Sequence, residues 1–288
     1  MYDFSKRNDM KKLYYILALA ALLPLFFSCD PTSGTDPDFG DPAFLKEAGR
    51  LMPESMTPTT KAGGTAEIGR IVSIELSESG VYALGQIADS TGRVSYKTGL
   101  YYIAKGIYEL AGLGTLSFDN SQAGNVMVTY APMGGDTLQA QARFIKATSS
   151  NKAYRGWKIE KTRVTVKGWT TVSADFKGCN LAEIAEFLRN NGNKAPVDVP
   201  NHSINSISFT GTETMILAYS DGSGDLSEFS LNGNVVTYTW KERPEGFTFI
   251  TDRAVIEYLD GKCLMTIDGT IEGSTTSGSV TFVMSPLN

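Results

Sequence analysis

Apolar and polar residues alternate with a period of two through most of the chain beyond about Glu67. Val72, Ile74 and Leu76 alternate with Ser73 and Glu75, and Val126, Val128 and Tyr130 alternate with Met127 and Thr129. Later, Val236, Tyr238 and Trp240 alternate with Thr237 and Thr239, and Val280, Phe282 and Met284 with Thr281 and Val283. Strands that bury one face produce this pattern. Further strands are expected over 80–84, 100–105, 107–110, 114–118, 138–144, 161–166, 206–210, 214–219 and 247–250. Asn232-Gly233 and Asp260-Gly261 each separate two such runs. Both dipeptides suit a type I′ turn, whose two central residues take positive φ, so the flanking strands are expected to form antiparallel hairpins. The pattern breaks once. Asn180, followed three residues later by Glu183, forms a capping-box-like helix start. Leu181, Ile184, Ala185 and Leu188 then make an apolar stripe, and Gly192 is placed to cap the end. The fold class is therefore mainly β and antiparallel, with one short amphipathic helix at about 180–190.

The two halves echo each other. Residues 124–130 (GNVMVTY) parallel 233–238 (GNVVTY), and 74–82 (IELSESGVY) loosely parallel 207–215 (ISFTGTETM). Two related β units joined near residues 168–180 are expected, with an insertion at about 94–113 in the first. This gives an N-terminal β domain over 63–168 and a C-terminal β domain over 169–288.

The first 62 residues read differently. Lys11 and Lys12 precede an uncharged run from Leu13 to Phe27, then Ser28 and Cys29. A basic start and an apolar core of this length are the pattern of a secretory signal over 1–28. A membrane-crossing helix needs about 20 apolar residues. Pro and Asp recur from Asp30 to Pro42, so 29–62 is expected to be an extended, acidic stalk.

Charge and composition narrow the chemistry. The 288 residues carry a net charge of -5, and since the first 28 contribute +2, the remainder stands at -7. An acidic body disfavours nucleic acid, whose binding needs a basic footprint. The chain has one histidine, His202, in a turn-like segment where a solvated ring is expected. Of its three cysteines, Cys29 directly follows the apolar run and Ser28. Few transition-metal ligands or neutral-pH bases remain, and no metal, cofactor or catalytic residue is expected. Cys179 and Cys263 are either a disulfide, as an even pair in an oxidising compartment allows, or two buried thiols. The carboxylates offer no spacing that selects a hydrolytic pair. Aromatics are plentiful, and Tyr102, Tyr108, Tyr238 and Trp240 are the candidates for ligand contact, with core packing as their alternative role.

Phe26-Phe27-Ser28-Cys29 resembles a bacterial lipobox, in which the cysteine is acylated and becomes the new N-terminus. The stalk that follows is similar to those of Bacteroidota lipoproteins. The phrases at 114–118, 125–130 and 226–240 resemble the lipocalin-like domains common in those proteins. That resemblance implies two tandem lipocalin-like barrels or curled sheets, held by an acyl anchor at the outer membrane on its surface or periplasmic face. It also implies a cup for a small apolar molecule, and with the aromatics as a sugar-stacking platform the expectation is a non-catalytic binding protein for a small apolar molecule or glycan. A subunit that docks an envelope protein through sheet edges and exposed aromatics is the alternative, and a carboxylate-dependent hydrolase is a third.

Overall fold

The computed structural model describes residues 48–54, 57–58, 70–87, 92–147, 153–191, 199, 201–240, 249–250, 252–271 and 277–287. The leader with Cys29, the stalk up to residue 47 and the proposed cap Gly192 lie outside these residues.

Strands dominate, as the period-two pattern requires. The first half holds β1 (Gly49–Pro53), β2 (Thr57–Pro58), β3 (Arg70–Leu76), β4 (Val81–Ile87), β5 (Val94–Ala104), β6 (Ile107–Leu110), β7 (Gly114–Ser117), β8 (Gly124–Pro132) and β9 (Leu138–Lys146). The second holds β10 (Gly156–Lys167), β11 (Thr171–Lys177), α1 (Leu181–Asn190), β12 (Ile204–Phe209), β13 (Thr214–Tyr219), β14 (Ser223–Asn232), β15 (Val235–Trp240), β16 (Phe249–Ile250), β17 (Arg253–Leu259), β18 (Lys262–Ile271) and β19 (Ser277–Pro286).

The antiparallel ladder closes twice. In the first half β1 pairs with β3, the chain runs strand to neighbouring strand from β3 to β9, and β9 returns to β1. In the second, β10 pairs with β12, the order continues through β13, β14, β15, β17, β18 and β19, and β19 returns to β10. Each ring has eight strands, the number whose interior side chains just fill. The short β2 and β16 add to β9 and β18. β11 is the hairpin partner of β10, beyond the stretch of β10 that pairs with β12.

Each ring has its own core. Leu51, Ile74, Tyr82, Tyr101, Tyr108 and Phe144 pack inside the first. Trp157, Phe209, Phe229, Met265 and Phe282 pack inside the second, together with Leu181, Ile184, Ala185 and Leu188 of α1. The helix begins as its sequence predicts, with the Asn180 side chain accepting from the Glu183 N–H at 3.0 Å.

Register shows that the rings are copies. Leu51 faces Ile74 and Ile74 faces Leu84, as Trp157 faces Ile207 and Ile207 faces Leu217. The likeness of 74–82 to 207–215 therefore marks equivalent strands. The likeness of 124–130 to 233–238 does not, because β8 is the seventh strand of its ring and β15 the fifth. The boundaries shift too. β1 lies within the expected stalk, where Leu51 is fully buried, and β10 opens the second ring although it lies ahead of the expected boundary at 168. Gly168 is the tip of a hairpin, and the copies meet between residues 147 and 156.

Across the seam, Tyr96 of β5 pairs with Gly224 of β14. Within the rings Gly85 faces Tyr96 as Ala218 faces Gly224, so these two residues are each other's equivalents and a pseudo-two-fold passes between them. Val81, Ala83 and Ile216 fill the seam beside this pair. β4 and β13 are consequently buried on both faces, and their sequences run apolar without alternating. A Cβ on Gly224 would stand 2.3 Å from Thr98 Cγ2 and 2.4 Å from the Leu217 carbonyl oxygen. Gly224→Val is expected to destabilise the protein by about 1–3 kcal/mol through this overpacking, read as a lower urea midpoint at unchanged slope.

Candidate functional site

The seam gathers the buried polar chemistry. Two equivalent turns reach across it. In one, the Val81 N–H donates to Ser77 Oγ at 2.9 Å and the Ser77 N–H to the Val81 carbonyl at 2.8 Å. In the other, the Thr214 N–H donates to Thr210 Oγ1 at 3.1 Å and the Thr210 N–H to the Thr214 carbonyl at 2.9 Å. The left-handed position is Gly80 in the first turn (φ 78) and Glu213 in the second (φ 61). A glutamate there holds a conformation that glycine adopts without strain.

Glu75 points outward from β3 and is covered by the second turn. Arg50 Nε donates to its Oε2 at 2.7 Å, and the Thr212 hydroxyl donates to its Oε1. Arg50 Nη2 also donates to the Thr212 carbonyl at 3.4 Å. Burial pushes the Glu75 carboxyl up, against the pull of Arg50 and of the Thr212 and Thr210 hydroxyls. Glu78 reaches over the pseudo-two-fold to its own equivalent, accepting from the Gly211 N–H at 2.8 Å. Its Oε2 is buried and has no partner among the described residues. Burial raises the Glu78 carboxyl to about 7, and the negative Glu75 adds to the rise.

Beside this contact lies an open cleft of about 390 Å³. Arg50 and the turn at Thr212 and Glu213 form one wall, and Glu228, Ser230, Thr237 and Thr239, on the outer face of β14 and β15, form the other. The equivalent place on the first barrel is more apolar, with Glu109 standing where Thr237 stands. Val81 faces Leu100 as Thr214 faces Glu228, and Tyr102 faces Glu109 as Ser230 faces Thr237, so Leu100 and Tyr102 stand where Glu228 and Ser230 stand. Tyr102 is 60% exposed and Leu100 39%.

The four candidate aromatics do not converge. Tyr102 is outside the first barrel. Tyr108 is buried inside it, stacked on Phe118 at 5.0 Å, with its hydroxyl accepting from Asn120 Nδ2 at 2.8 Å. Tyr238 is buried in the second barrel, and Trp240 ends β15 with its side chain outside the described residues. Alternation placed Tyr108 and Tyr238 on the inward face, so they are packing residues. Other interior tyrosines close the first barrel: Tyr82 donates to the Ala111 carbonyl at 2.9 Å, Tyr101 to Ser77 at 2.7 Å and Tyr130 to Leu113 at 3.2 Å. In the second barrel an apolar cavity of about 10 Å³ remains, between residues such as Met215, Leu217, Met265 and Phe282. That is the space of about one water molecule.

Cys179 and Cys263 are free and buried, not bridged. Each packs separately in the core of the second barrel, and burial pushes both thiols up to about 12, which makes them inert. His202 is not solvated as expected. Its side chain is 17% exposed, its ring stacks on Tyr219 at 4.4 Å and its Nδ1 lies 3.6 Å from Asp221 Oδ2. Asp221 ties its own turn, accepting from the Ser223 N–H and hydroxyl, as expected of a turn residue. Among the described residues no group of three metal-ligating side chains occurs, and no helix is long and apolar enough to cross a membrane.

Compared with known proteins, the chain matches no family model and no curated protein.

Sequence reading missed the seam residues Arg50, Glu75, Glu78, Glu213 and Glu228. Glu75 carried no local signal, because it takes a polar position in the alternation of β3, as Ser73 does. The raised Glu78 carboxyl sets the sign of a pH effect. The folded state holds this proton more tightly than the unfolded chain, so its contribution to stability is full below about pH 4.5 and is lost as pH rises towards 7. Glu78→Gln is expected to flatten the fall in stability over that window and to leave the variant more stable at neutral pH by up to roughly 3 kcal/mol, read from urea midpoints at a series of pH values.

Proposed function

We propose that this protein is a non-catalytic binding module of the bacterial envelope, tethered through acylated Cys29, that engages a partner protein on the outside of its first barrel. The filled interior of the second barrel carries this reading. A cup for a small apolar molecule needs a few hundred Å³, and the cavity in the second barrel offers about 10 Å³. The apolar side chains left to water are outside. Leu100 and Tyr102 on β5 and Ile107 on β6 are 39%, 60% and 45% exposed on the outer face of one hairpin. Tyrosine is a favoured anchor at protein interfaces, where its ring buries area and its hydroxyl stays wet. Side chains, not sheet edges, make this surface, because closing a barrel removes the free edges of its ring.

A binding role also fits the carboxylates better than hydrolysis does. Glycoside hydrolysis needs one carboxyl kept protonated by apolar surroundings and a second kept ionised. Glu213 and Glu228 are both exposed, on opposite walls of a cleft lined by hydroxyls.

The anchor and the surface are tested separately. Cys29→Ser is expected to move the protein from the membrane fraction to the soluble fraction of the producing cells, and retention in the membrane would overturn the tether. A photo-crosslinking residue at position 102 is expected to give one discrete adduct in intact cells. The same group at Gln139, exposed on β9, is expected to give none. Leu100→Ser should weaken the adduct, and equal labelling from both positions would remove the docking surface.

A further inference from the structure

The two barrels differ at one pair of equivalent places on their outer faces. On the first barrel the place is held by Leu100 and Tyr102, with Gly80 in the turn. On the second it is held by Glu228 and Ser230, with Glu213 in the turn, and there the surface deepens into the cleft of about 390 Å³. That volume lies in the range of small-molecule sites.

The lining selects the ligand. Carboxylates at Glu213 and Glu228 accept hydrogen bonds, and Ser230, Thr237 and Thr239 both donate and accept. Arg50 also faces the cleft, but its charge is already matched by Glu75 at 2.7 Å, so the uncompensated lining charge is negative. Phosphate, sulfate and uronate ligands are therefore repelled. An apolar ligand finds little to cover it, since Phe229, the one large apolar residue among the described residues of the lining, is only 5% exposed.

We infer that this cleft is a binding site for a neutral saccharide, held by its hydroxyl groups between the Glu213 turn and the outer face of β14 and β15. The sugar hydroxyls donate to Glu213 and Glu228, and their oxygens accept from the strand hydroxyls and from Arg50. This site is distinct from the Tyr102 surface and does not depend on it.

The test is a chemical-shift titration of the purified, isotope-labelled protein with glucose, galactose, mannose, maltose and cellobiose in turn. At least one sugar is expected to shift amide signals at residues 212–214, 228–230 and 237–239 and to leave those of 100–110 in place. Glu228→Ala and Thr237→Val, both at exposed positions, are each expected to weaken that binding about tenfold, the effect of losing one good hydrogen bond to a charged or polar partner. Tyr102→Ser should leave it unchanged. No shift with any of the five sugars, shifts away from the cleft, or binding indifferent to both cleft variants would overturn the assignment. Shifts produced by spermidine or calcium but by none of the sugars would give the cleft to cations instead.

Discussion

Glu75 is a carboxylate on the outside of a barrel strand, and the neighbouring barrel shuts it away from water. A charge so placed costs several kcal/mol unless its hydrogen bonds are restored. Here they come from Arg50 of the same barrel and Thr212 of the other. The barrels are thereby held in one arrangement: a displacement that parts Thr212 from Glu75 leaves a buried carboxylate underpaired. Apolar packing around Val81, Ala83 and Ile216 supplies area but little direction. The polar contact and the Tyr96–Gly224 strand pairing supply the direction.

Duplication explains why the seam is built this way. A two-fold interface uses the same patch twice, so whatever lies on the symmetry element meets its own copy. Glu78 meets Gly211, and Tyr96 meets Gly224. Two identical large residues would collide at such points. In each of these pairs one member is glycine, which a chain carrying both halves in one sequence can place in one half without the other. The same freedom separates the polar cleft from the aromatic face.

Much of the fold was legible because most strands bury one face. β9 alternates from Leu138 to Phe144, as do the inward residues Val280, Phe282 and Met284 of β19. The helix cap at Asn180 and the turn at Asp260-Gly261, with φ 50 and 73, fell where local chemistry put them. The turn near Asn232 is displaced by one residue, since Asn232 pairs with Val235 and Gly233 takes the positive φ. In β3 a bulge between Ile71 and Ser73 brings Ile71 into the core and leaves Val72 half-buried, which a strict period of two cannot foresee. β1 was hidden by its shortness and its Pro-rich approach. The seam was hidden because its partners are far apart in the chain: Glu75 and Thr212 are separated by 137 residues, and nothing local marks either as half of a pair.

The two cysteines of the second barrel sit among Met265, Ile159 and Leu181 as ordinary apolar volume, with no sulfur–sulfur bond between them. Nothing in the barrel's closure waits for an oxidant. The same fold is therefore open to this chain in reducing and oxidising surroundings alike, and its assembly is decoupled from thiol oxidation.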